Sequence, residues 1–297
     1  MLARPLLLTA ASLACFAANS LLARRALGAR LIDPATFTAV RLGAGALVLP
    51  VLAFATSRGP SGGSWSSAFA LLAYAAAFSF AYLRIEAGPG ALLLFVAVQA
   101  TILGWGFFHD ARPSPVQWLG IGVALAGLAF LTLPGAGGVD PTGAALMIAA
   151  GVAWGVYTLR GRTAQGPLAT TAANFLRAAA IAIPAALGAV LALAPPQTTI
   201  AGIGLAATSG ALASGLGYSM WYAAVPSLGA TRAASVQLAV PVLTAIAATV
   251  LLGERLTARI ALGGIAILGG IALTLRRVPP QGLRRQRSVS WELPPDS

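Results

Sequence analysis

Between residues 5 and 275 the chain is a succession of apolar runs, each close to the length that crosses a bilayer. The runs are 5–23, 34–55, 65–83, 88–108, 115–133, 141–160, 169–193, 198–222, 229–252 and 258–275. A helix needs about 20 mostly apolar residues to span the hydrocarbon core. A lone span must satisfy its own backbone, which favours helix over open strand. The pattern therefore predicts an all-α integral membrane protein with ten transmembrane helices. Composition closes the soluble alternative, since only 9% of the residues are charged and 58% are hydrophobic. A soluble domain carries about 25% charged residues to hydrate its surface. The first run is long for the apolar core of a removable signal and is followed by Arg24 and Arg25, so it reads as a permanent span.

The formal net charge is +12, and all 19 basic residues are Arg. They sit between the apolar runs and in the tail, not along one amphipathic face. That distribution fits anionic lipid headgroups and excludes a nucleic-acid surface. Placing both ends in the cytoplasm puts most of the loop Arg inside, as expected of a multi-pass protein of the plasma (inner) membrane. Residues 276–297 (RRVPPQGLRRQRSVSWELPPDS) have no apolar periodicity and read as a disordered cytoplasmic tail. Cys15 is the single cysteine, so neither an intrachain disulfide nor a cysteine-based metal cluster is expected.

The chain also repeats itself. Trp118–Leu131 (WLGIGVALAGLAFL) aligns with Ala261–Thr274 (ALGGIAILGGIALT), placing Gly120 on Gly263 and Gly127 on Gly270. Ala35–Leu47 aligns with Thr171–Ile183, placing Arg41 on Arg177. Cys15–Leu22 lies over Ala153–Arg160. These matches predict two five-helix repeats, 5–133 and 141–275. Five is odd, so the second repeat inserts upside down relative to the first. Secondary transporters often have this architecture, with the solute site between the repeats.

These residues resemble the drug/metabolite transporter superfamily, and most closely its EamA-type branch. Trp154-Gly155 fits the Trp-Gly near the start of a repeat, and Gly253-Glu254-Arg255-Leu256-Thr257 fits the turn before the last span. Pro241 fits the Pro in the preceding span. The first half departs from the pattern, with Phe16-Ala17 in place of Trp-Gly and HDARPSP (109–115) in place of the turn signature. The resemblance implies a ten-helix permease.

Polar groups are costly in hydrocarbon and usually face protein or a polar path. Asn19, Gln99, Tyr157, Asn174 and Gln237 fall within spans, as do Arg41 and Arg177. The two Arg lie near span starts, where snorkelling to headgroups or capping a neighbouring helix is the expectation. Asn19, Trp154, Tyr157, Tyr218 and Gln237 are the candidates for solute contact. No acidic residue falls at mid-span, which argues against a proton-coupled exporter of organic cations. The sequence shows no P-loop, GxSxG or HExxH motif. No catalytic residue, cofactor or metal is therefore expected, and the partners expected are a small-molecule solute and membrane lipid. Export of small metabolites such as amino acids or their derivatives is the leading reading. An intramembrane enzyme acting on a lipid and a non-transporting membrane scaffold are the alternatives.

Overall fold

The computed structural model describes residues 3–56, 59–109, 114–133, 138–162, 164–192, 198–228 and 236–275. The tail 276–297 and residues 229–235 of the ninth apolar run lie outside the described residues. Every regular element among the described residues is helical. The order is α1 (Ala3–Gly28), α2 (Pro34–Thr56), α3 (Trp65–Tyr82), α4 (Ala87–His109), α5 (Pro115–Thr132), α6 (Pro141–Gly161), α7 (Pro167–Ala192) and α8 (Ile200–Thr208). A π-helical segment, Ser209–Leu216, then runs into α9 (Gly217–Leu228), and α10 (Ala239–Leu252) and α11 (Ala258–Thr274) follow. Among the described residues eight helices are long and apolar enough to span a membrane, with α8, the π segment and the start of α9 counted as one, Ile200–Ala224. Two shorter apolar helices complete the described part.

The helix starts follow from side-chain chemistry. Asp33 accepts from the backbone N–H groups of Ala35 and Thr36 at the head of α2. Ser64, Asp140, Thr199 and Thr257 cap α3, α6, α8 and α11 in the same manner. Ser114 and Gln117 form a reciprocal capping box on α5, with Pro115 at the first helical position. Such caps satisfy N–H groups that helix geometry leaves unpaired.

One boundary differs from expectation. The first helix runs to Gly28 instead of ending near residue 23. Arg24 makes this possible. Its guanidinium donates to the Tyr82 carbonyl at 3.0 Å and lies 3.5 Å from the Glu254 carboxylate, so the charge is accommodated within the protein.

The outer surface is apolar, with Leu191 87% and Ile200 91% exposed, as lipid-facing positions should be. Inside, α2 packs on α7, α3 and α4 on α6, α1 on α9 and the π segment, and α5 on α11. Small residues set the last contact. A Cβ on Gly120 would lie 2.6 Å from the Gly270 carbonyl oxygen, and one on Gly127 would lie 3.0 Å from that of Gly263. Without a hydrophobic drive between helices in lipid, such backbone proximity is what holds a pair together.

Candidate functional site

The helices α1, α3, α4, α6, α7 and α9 enclose a cavity of about 340 Å³. Asn19, Trp154, Tyr157, Tyr218 and Gln237 all line it, although they lie on four separate parts of the chain. An aromatic stack forms one wall. The Trp154 ring lies between Tyr157 (5.2 Å, 26°) and Tyr218 (5.4 Å, 19°), with Tyr74 at 4.8 Å. Phe16 packs edge-on to Trp221 nearby. The polar groups of the lining are neutral apart from Arg160 and Arg162 at its edge. The Tyr157 hydroxyl donates to Thr171 Oγ1 at 3.4 Å and accepts from Asn174 Nδ2 at 3.5 Å.

The cavity reaches the surface at the α6–α7 connection, where Arg160, Gly161 and Arg162 are exposed. Arg160 donates to Ser66 and Ser67 at the head of α3, bridging that mouth. The opposite end of the bundle is closed. There Ala23, Ala26, Leu27 and Tyr82 are all 0% exposed.

Arg41 does not snorkel, contrary to expectation. It is 1% exposed and turned into the protein, with its guanidinium carbon 5.1 Å from the Tyr74 ring centroid and 4.8 Å from that of Phe78. Both rings line the cavity. Nη2 donates to the Tyr74 hydroxyl at 2.9 Å, while Nε and Nη1 have no hydrogen-bond partner among the described residues. Cation–π contacts contribute about 0.5–2 kcal/mol each. Burying an ion costs several kcal/mol, so the two rings offset this only in part. Arg177, aligned with Arg41 in the sequence, instead donates to the carbonyls of Ala173 and Gly62 and caps a loop.

Asn19 links this group to the π segment. Its Oδ1 accepts from Ser209 Oγ at 2.5 Å, and its Nδ2 lies 3.5 Å from the Tyr74 hydroxyl. Sequence reasoning overlooked Tyr74 and the π segment. An apolar helix with one Tyr carries no periodic signal, whereas π segments recur at functional sites for reasons that tertiary packing sets.

At the closed end, the Glu254 carboxylate accepts from the Ala87 N–H (2.8 and 2.9 Å) and the Gly88 N–H (3.3 Å), and is paired with Arg24. A carboxylate at a helix start meets the positive end of the helix dipole. Glu254 thereby ties the α10–α11 turn to the start of α4 and, through Arg24, to α1 near its C-terminal end. Gly253, at φ +68°, supplies the left-handed residue that ends α10 and turns Glu254 inward.

A bundle of apolar, membrane-length helices around a solute-sized cavity is the form of a multi-pass membrane protein that handles small molecules. Residues 141–276 match the EamA-like transporter family. The chain is 36% identical over 208 residues to the threonine/homoserine exporter RhtA of Salmonella typhimurium, covering 67% of this chain and 68% of that one. An uncharacterized protein of Pseudomonas aeruginosa is 51% identical over 277 residues, 92% of this chain and 94% of its own. A probable terminal-alkyne amino-acid exporter of Streptantibioticus cattleyicolor is 29% identical over 223 residues, 73% of each. A solved crystal structure superposes with a TM-score of 0.61 at 22% identity, over 89% of this chain and 95% of its own, which shows a shared fold. The chain belongs to the EamA-like transporter family, whose members are multi-pass inner-membrane proteins that handle small solutes.

Proposed function

We propose that this chain is a secondary exporter of amino acids or their derivatives, working by alternating access between two inverted five-helix repeats, 5–133 and 141–275. Solute binds in the aromatic cavity against Asn19, Trp154, Tyr157, Tyr218 and Gln237. The observation that carries this reading is the cavity itself, a solute-sized polar and aromatic space open at one end of an otherwise lipid-facing bundle. Relatives named as exporters of threonine, homoserine and a terminal-alkyne amino acid support the solute class.

The α5–α11 contact supports the inverted repeat. Gly120 aligns with Gly263 and Gly127 with Gly270, yet Gly120 touches Gly270 and Gly127 touches Gly263. A reciprocal contact of that form is the signature of a two-fold relation between the two partners. Ten spans follow if α10 and α11, of 14 and 17 residues, each cross with the help of flanking residues.

Counterflow of L-threonine and L-homoserine in proteoliposomes tests the reading. Gln237→Ala and Tyr157→Phe should weaken apparent affinity roughly two- to tenfold, the worth of one solute hydrogen bond. Leu191→Ala, on the lipid face, should leave it unchanged. Absence of counterflow for every amino acid tried, with folded protein in the vesicles, would sink the exporter assignment.

A further inference from the structure

We propose that the cavity selects solutes bearing a carboxylate, and that the Tyr74 hydroxyl, backed by Arg41, is the group that reads it. This deepens the exporter reading and rests on it.

The argument starts from the hydrogen bonds around one oxygen. The Tyr74 hydroxyl oxygen accepts from Arg41 Nη2 at 2.9 Å and from Asn19 Nδ2 at 3.5 Å. In both contacts the oxygen is the acceptor, so neither uses its proton. Its own O–H is then left to donate elsewhere, and Tyr74 is part of the cavity wall. A hydroxyl that accepts from a guanidinium is polarised into a stronger donor. What it points at is therefore best supplied with negative charge.

Charge gives a second, independent argument. Arg41 is 1% exposed, and two of its three nitrogens have no partner among the described residues. No Asp or Glu contributes to the cavity lining. The seven acidic residues all fall in loops, at span ends or in the tail. Among the described residues Arg41 is thus a buried cation without a counter-ion, an arrangement that a bound anion relieves. Ser214 Oγ, on the π segment and in the same lining, is also buried without a partner among the described residues and offers another hydroxyl. The stacked faces of Trp154, Tyr157 and Tyr218 suit the opposite, ammonium end of an amino acid.

The test compares L-threonine with L-threonine amide, which keeps the side chain and ammonium but loses the carboxylate. Apparent affinities are read by counterflow in proteoliposomes for wild type, Tyr74→Phe, Arg41→Gln and Arg41→Lys. Wild type should prefer the acid over the amide by about 10- to 100-fold, the worth of a charge-assisted contact. Tyr74→Phe keeps the ring and its packing, so it should fold. It should reduce the preference to about threefold or less by weakening the acid alone. Arg41→Lys should retain more of the preference than Arg41→Gln. Equal handling of acid and amide by wild type, or an undiminished preference in Tyr74→Phe, overturns the proposal and leaves the exporter reading standing. Flux of neither compound through folded wild type removes the exporter reading, and this proposal with it.

Discussion

Gly210 meets Arg41 backbone to backbone: a Cβ on Gly210 would lie 2.1 Å from the Arg41 carbonyl oxygen. The π segment is thereby pressed onto α2 at the residue that carries the buried charge. Gly210→Ala must separate the two helices, because the obstructing atom is main chain and cannot rotate away. Overpacking of this kind costs about 1–3 kcal/mol. The variant should melt below wild type in detergent. Gly204→Ala, on α8 with nothing within 4 Å, is the matched control and should lose nothing, since Ala is the better helix former. Equal melting of the two variants would show that the π segment yields freely.

Glu254 joins three elements through one carboxylate. Removing it in Glu254→Ala leaves the Ala87 and Gly88 N–H groups and Arg24 without their acceptor. The loss should be about 2–3 kcal/mol, as for charge-assisted bonds in partly buried surroundings. Glu254→Gln keeps an acceptor but no charge and should fall between the two. Thermal unfolding monitored by Trp fluorescence gives the order, and an unshifted Glu254→Ala contradicts the structural role.

Glu86, in the loop just before α4, introduces a pH dependence. Burial pushes its carboxyl above the usual range, repulsion from Glu254 adds to this, and Arg24 offsets part of it. The folded state therefore holds this proton more tightly than the unfolded chain does. The group's contribution to stability is complete below its ordinary pKa and is lost as pH rises through the raised value. Glu86→Gln, neutral throughout, should melt above wild type at pH 8. The gap should close as the pH falls toward about 4. A gap that widens on acidification reverses the sign and refutes the assignment.

Orientation is testable at the two ends of the bundle. Ser61 lies at the cavity-mouth end, where its N–H donates to the Ala169 carbonyl, and Leu83 lies at the closed end. With both termini cytoplasmic, a membrane-impermeant maleimide should label Leu83→Cys in intact cells. It should label Ser61→Cys only after lysis, each variant in a Cys15→Ser background. The reverse pattern inverts the topology.

The bundle was legible because hydrocarbon imposes one rule on every span: about twenty apolar residues, bounded by caps and glycine-rich turns. Asn19, Tyr157 and Gln237 stood out as polar groups placed where lipid would not tolerate them. Arg41 stood out too, but its depth did not, because a cation near a span start snorkels or turns inward according to what the neighbouring helix presents. Here α3 presents Tyr74 and Phe78. Nothing local announces that pairing, which joins residues on different helices. The π segment was hidden for the same reason. Its sequence, SGALASGL, suits any close-packed helix, and its winding answers to α1 and α2. The inward reach of Glu254 to Ala87 likewise spans two distant parts of the chain.

The Arg24–Glu254–Ala87 contact makes the present arrangement a cul-de-sac. The cavity that begins at Arg160 and runs past Trp154 ends against the buried layer of Ala23, Leu27 and Tyr82, so a solute bound there as proposed would leave by the mouth through which it entered. In the proposed alternating-access cycle, opening toward the far face means that the turn at Glu254 lets go of α1 and α4, which its carboxylate joins here. The carboxylate that makes this tie lies outside the cavity lining. On the proposed reading, the contacts that would hold the solute and the contact that closes the far end thus sit in separate regions of the chain, and each can be altered by a substitution that leaves the other in place.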